Sequence, residues 1–122
     1  MTNPAVGRIR EHSTFTALRR PLRRASAGPI RVAYVPAAGG GEPTFPQVAY
    51  AIGRRHGTAV TRNRLRRRLR AAAAAVAEEV PTGAYLVTAR PEAATLAYPE
   101  LVAAMGQALS TAGSPPHGGR AR

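Results

Sequence analysis

The sequence predicts an α+β fold, a single small sandwich in the order α-β-β-β-α-β-α with a short first strand. Three observations carry that prediction. Ile30 to Val35, Gln47 to Ile52 and Ala84 to Ala89 combine β-forming residues with the two-residue alternation of strands. Residues 59–77 place Leu65, Leu69, Ala72 and Val76 within an arc of about 60° on a helical wheel. Leu101, Ala104, Met105, Ala108 and Leu109 recur at the helical spacing i, i+3, i+4, i+7 and i+8. A chain of 122 residues has room for one such domain and not for two.

Taken in order, residues 1–12 read as a flexible arm that overlaps a domain spanning 8–112. Ser13 is a fair N-cap for a short helix carrying Phe15 and Leu18, and Pro21 stops it. A short strand is expected near Leu22 to Arg24. In the next strand Ile30, Val32 and Tyr34 share one face. The run from Ala37 to Thr44, with Gly39-Gly40-Gly41 and Pro43, is a connection; no Gly-Lys-Ser/Thr follows to make it a phosphate loop. Val48, Tyr50 and Ile52 alternate along a further strand, which enters the basic turn Gly53-Arg54-Arg55-His56-Gly57. A long helix then runs to about residue 77, broken by Val80 to Gly83, and the strand Ala84 to Ala89 follows. Pro99 suits the first turn of the last helix, Gly113 ends it, and 113–122 read as a disordered tail.

Charge is the strongest functional signal. The chain carries 18 arginines, no lysine, six glutamates and no aspartate, for a formal charge of +12. Between Arg54 and Arg70 lie eight arginines and no acidic residue. On a helix, Arg62/Arg66, Arg66/Arg70, Arg64/Arg68, Arg64/Arg67 and Arg67/Arg70 are i,i+4 or i,i+3 neighbours, each pair costing a few tenths of a kcal/mol. The cations also crowd the first half of the helix, against the macrodipole, while Glu78 and Glu79 close it. Asn63, Arg66, Arg67 and Arg70 fall within about 100° on the side away from the leucines. A helix anchored by leucines and displaying guanidinium groups fits an external polyanion, and the overall basicity fits nucleic acid.

Other classes are disfavoured. Without Cys there is neither a disulfide nor a thiolate metal site. Met1 to His12 lacks the apolar stretch of a signal peptide, and Ala71 to Ala77 is far short of a membrane span, so a cytoplasmic protein is expected, with no membrane partner and no small-molecule substrate. The glutamates at 11, 42, 78, 79, 92 and 100 form no dyad, and His12, His56 and His117 lack metal-ligand spacing. No catalytic residue and no metal ligand are therefore assigned. His56 is weighed as an RNA contact against an exposed turn residue.

The segment Gly57-Thr58-Ala59-Val60-Thr61-Arg62-Asn63-Arg64-Leu65-Arg66-Arg67-Arg68-Leu69-Arg70 closely resembles the RNR signature of the bacterial ribonuclease P protein subunit. Phe15 and Tyr34 sit in the expected first helix and strand, Ala84 to Arg90 resembles the family's strand and Ala-Arg-Pro turn, and Leu96-Ala97-Tyr98 opens the expected last helix. The resemblance covers about residues 8–112. It implies a left-handed βαβ crossover carrying the arginine helix, a rare hand. It implies an accessory subunit of an endoribonuclease whose catalytic centre is RNA, removing the 5′ leader of precursor tRNA, with the helix at Arg62 to Arg70 helping to order Mg2+ ions bound mainly by that RNA. RNA binding then falls to Arg54, Arg55, Arg62, Asn63, Arg64, Arg66, Arg67 and Arg70, with Arg68 auxiliary. A cleft for the single-stranded leader is assigned to Phe15, Tyr34 and Arg19. Arg19 stands where relatives often carry a second aromatic, and Gly53, Arg54 and Arg55 replace common Ser and Lys residues. The competing reading is a ribosomal or RNA-assembly protein of similar basic α+β fold.

Overall fold

A computed structural model describes residues 7–8, 17–36 and 46–114. Its strands are β1 (Gly7–Arg8), β2 (Arg23–Ala27), β3 (Ile30–Val35), β4 (Gln47–Tyr50) and β5 (Ala84–Ala89); its helices are α1 (Ala59–Val76) and α2 (Tyr98–Gly113). Among the described residues these strands form one sheet in the order β1-β4-β5-β3-β2. β4 and β5 are adjacent and parallel, so β4–α1–β5 is the crossover unit that carries the arginine helix. β3 pairs antiparallel with both β5 and β2. The expected α+β order holds from the first hairpin to the last helix.

Local chemistry accounts for these elements. Gly28, at φ +54°, and Pro29 make the two-residue turn between β2 and β3, with Ala27 paired to Ile30. A positive φ followed by proline is what a type II′ hairpin turn asks for. That turn extends β2 to five residues, beyond the short strand near Leu22 to Arg24 that the sequence suggested. β4 ends at Tyr50, two residues earlier than expected, yet Ala51 N–H still donates to Val87 O at 2.8 Å and Ile52 stays buried. Gly7–Arg8, within the stretch read as an arm, pairs in parallel with Gln47 and Val48. Ser13, Phe15 and the Gly39–Gly41 connection lie outside the described residues, as does the tail beyond Ser114.

One face of the sheet carries both helices. Ile30, Val32, Tyr34, Val48, Ile52, Tyr85 and Val87 meet Leu65, Leu69, Val76, Leu101, Met105 and Leu109 in a single core. The predicted stripes of both helices are therefore the buried ones. On the opposite face Leu18 packs with Val35 and Ala84, flanked by Ala33, Ala49 and Leu86, and among the described residues much of the sheet is left open.

Close packing is concentrated where α2 ends. Arg23 Nε and Nη2 donate to the carbonyls of Ala112 (2.8 Å) and Gly113 (3.2 Å), satisfying acceptors that the helix end leaves free. The same guanidinium lies 4.7 Å above the Tyr34 ring, and Tyr34 and Tyr85 pack with centroids 5.1 Å apart. Tyr85 donates to Pro81 O at 2.6 Å. A Cβ at Gly113 would overlap the Tyr85 hydroxyl, and one at Gly83, where φ is +143°, would overlap the Tyr34 ring.

Candidate nucleic-acid interface

Thr58 caps α1, its hydroxyl accepting from Thr61 N–H at 3.2 Å. From that start, Leu65 and Leu69 are fully buried while Asn63, Arg64, Arg67 and Arg70 are exposed and Arg62 and Arg66 partly so. Asn63, Arg66, Arg67 and Arg70 together line one shallow surface depression, the face that helical geometry predicted. Arg66 Nη1 donates to Asn63 Oδ1 at 3.2 Å and Nη2 to Ile52 O at 3.0 Å. Arg62 Nε donates to Thr58 O at 3.4 Å, which closes the first turn. Arg54 and Arg55 are exposed on the 3-10 turn Arg54–His56 just before α1.

Among the described residues no carboxylate neutralises this face. Among the described residues the one ion pair is Arg90–Glu92, at 3.5 Å on the surface. Guanidinium groups clustered without counter-charges attract phosphate oxygens, and their planar forks suit bidentate contact. Arg70 also acts on Tyr50. Burial pushes the Tyr50 hydroxyl up to about 12, and the Arg70 charge opposes that rise.

Three side chains lie elsewhere than expected. Tyr34, assigned to a leader cleft, is 7% exposed and packs on the helix side of the sheet; its hydroxyl donates to Thr82 O at 3.4 Å. A ring held between Tyr85 and Arg23 is not available to stack on a base, so that assignment is corrected. His56 is not an exposed turn residue. It is 5% exposed, with Nε2 donating to Ala89 O at 2.5 Å and Nδ1 accepting from Gly53 N–H at 3.1 Å, so it ties the basic turn to β5. Arg68 turns inward and donates to the carbonyls of Ala93 (2.9 Å), Ala94 (2.8 Å) and Leu96. Apart from Gly53, three residues before His56, these partners are distant along the chain, and no spacing rule in the sequence announces them.

The open face holds a second basic surface. Arg24, Ser26, Arg31, Ala33, Leu86 and Thr88 line a groove on it. Arg19, exposed as the cleft assignment requires, borders a neighbouring hollow with Arg20, Leu22 and Val35. The alternation of Arg24 with Ala25 and of Arg31 with Val32 was the available signal for the first of these. Phe15, the other cleft residue, lies outside the described residues.

With that geometry in place, the comparison with known proteins is decisive. The ribonuclease P family model matches residues 4–113. The chain belongs to the ribonuclease P protein family. The ribonuclease P protein component of Acidothermus cellulolyticus is 38% identical over 107 residues, covering 87% of this chain and 88% of that protein. That of Thermobifida fusca is 37% identical over 109 residues, covering 84% and 73%. Solved RNase P proteins share the fold. The Thermotoga maritima structure superposes with a TM-score of 0.71 at 16% identity over 85% of this chain and 96% of that one. The Staphylococcus aureus structure gives 0.69 at 17% identity over 86% and 94%.

Proposed function

We propose that this ribonuclease P protein works by binding a catalytic RNA through α1 and holding the 5′ leader of precursor tRNA on the open face of its sheet. The observation that carries the reading is the row Asn63, Arg66, Arg67 and Arg70, which no carboxylate among the described residues neutralises and which buried Leu65 and Leu69 fix outward. Arg54, Arg55, Arg62 and Arg64 extend the same basic surface around the start of the helix. Each guanidinium that meets a phosphate releases condensed counterions, so assembly weakens steeply with salt.

The leader lies on the other side of the sheet in this reading. Arg19 meets it at one end, and Arg24 and Arg31 receive its phosphates at the other. With Tyr34 withdrawn into the core, charge does more of this work and base stacking less. The two basic surfaces occupy opposite layers, so one molecule contacts both RNAs at once.

The bond-breaking step is assigned to the RNA, in the cytoplasm. Magnesium supplies charge neutralisation and an activated water there. The arginine face does not fit such an ion, since its side chains are cations, and among the described residues no three His, Asp or Glu side chains cluster to hold one. What the protein contributes is positive charge and orientation. Among the described residues no helix is long and apolar enough to cross a membrane.

The test is precursor-tRNA cleavage at low magnesium, using the catalytic RNA of the same organism with and without this protein. A sharp rise in cleavage at the mature 5′ end is expected. RNA binding with unchanged processing would instead favour a ribosomal or assembly role.

A further inference from the structure

The apolar stripe seats α1 over a limited arc. Burial of apolar surface is non-directional, and the buried Leu65, Leu69, Ala72, Ala73 and Val76 span about 100° of the helix. Rolling α1 by a fraction of a turn would swing Arg67 and Arg70 off their outward direction. Two guanidinium ties flank the stripe. At 100° per residue, Arg66 lies roughly 70° to one side of the stripe centre and Arg68 roughly 90° to the other. Arg66 Nη2 reaches Ile52 O at 3.0 Å, two residues past the end of β4. Arg68 reaches the 3-10 turn Pro91–Ala94 and the residues after it, donating to the carbonyls of Ala93, Ala94 and Leu96. That turn is itself anchored, because the Ala93 side chain is fully buried in the main core.

We infer that Arg68 is a positioning residue, whose guanidinium clamps α1 to the Pro91–Leu96 segment and sets the roll that aims Asn63, Arg67 and Arg70 at RNA. The inference rests on the reading of α1 as the RNA-binding helix. Arg68 does not act as a further phosphate ligand, since reaching phosphate would leave three backbone carbonyls without their donor. Those acceptors need arginine. A guanidinium presents its donors in a rigid planar fork that serves three carbonyls at once, whereas a lysine ammonium is a compact point donor on a flexible stem. The inward turn also takes one cation out of the like-charged rows with Arg64, easing the repulsion the helix carries.

Arg68→Ala and Arg68→Lys in the full-length chain test this, at a temperature where circular dichroism shows both folded. Amide hydrogen exchange on the free protein is expected to quicken in the Pro91–Leu96 segment and in the first half of α1 for both variants. Affinity for the catalytic RNA is expected to fall about 2- to 30-fold, the range found when a residue acts through its neighbours. The slope of log affinity against log salt stays at the wild-type value, and lysine gives no rescue.

Two results would overturn the inference. A slope shallower by about 0.7–0.9, restored by lysine, would make Arg68 a phosphate ligand. Wild-type affinity in a folded Arg68→Ala variant would reduce it to a purely structural contact. Should the wild-type protein itself fail to bind the catalytic RNA, the proposed function fails, while hydrogen exchange still decides whether the clamp exists.

Discussion

Leu69 and Tyr50 show how single residues report on both the core and the charged face. Leu69 is fully buried between the arginine helix and the sheet, so Leu69→Ala is expected to cost about 2–5 kcal/mol, read as a lower midpoint in urea. A midpoint equal to wild type would mean the helix docks by another side. Tyr50 adds a pH signature. Its folded-state pKa is about 12 against 10.0 for the free side chain, chiefly through burial. A raised folded value means the neutral ring is favoured in the fold, so its contribution is complete below about pH 10 and is lost as pH climbs towards 12. The unfolded chain then holds fewer protons, and each pH unit in that window costs about 1.4 kcal/mol. Tyr85, pushed higher still by burial and by Tyr34 beside it, carries the loss further into alkali. Tyr50→Phe is expected to leave neutral stability nearly unchanged and to flatten the alkaline limb of a pH–melting curve.

At the scale of elements, periodicity was the legible signal. The stripes of both helices and the alternation of β3 and β5 were readable because each is a local repeat of apolar residues. Alternation even grouped Tyr34 with Ile30 and Val32, the face that proves to be the core; the family resemblance pointed the other way. What could not be read were partners distant in sequence: Arg68 with Leu96, His56 with Ala89, Arg23 with Ala112. β2 was under-read because Arg23-Arg24-Ala25-Ser26-Ala27 contains no strong β-former, and its length comes from the Gly28-Pro29 turn and from pairing with β3. The end of α2 offers a test at this scale. Because a Cβ at Gly113 would overlap the Tyr85 hydroxyl, Gly113→Ala is expected to destabilise the fold by about 1–3 kcal/mol, as overpacking does. A thermal midpoint within error of wild type would show that Tyr85 gives way freely.

For the whole molecule, a net charge of +12 on 122 residues sets stability against function. Self-repulsion disfavours the compact state, and in water it is largely screened only beyond the Debye length, about 30 Å at 0.01 M salt and about 10 Å at 0.1 M. The melting temperature is therefore expected to rise with added sodium chloride in this range; a flat or falling trend would mean the arginines are balanced within the fold. In the proposed function the same charge drives RNA assembly, and there salt acts with the opposite sign. Arrangement on two layers makes this more than a general basicity. The outward row on α1 has no carboxylate partner among the described residues, and the groove of Arg24 and Arg31 faces away from both helices. The central claim is that Arg67 and Arg70 meet RNA phosphates directly. Its most direct test is the salt dependence of catalytic-RNA binding by an Arg67→Ala/Arg70→Ala variant beside wild type. A slope shallower by about 0.7–0.9 for each arginine removed, with an unchanged circular dichroism spectrum, is the predicted result; a slope equal to wild type would contradict it.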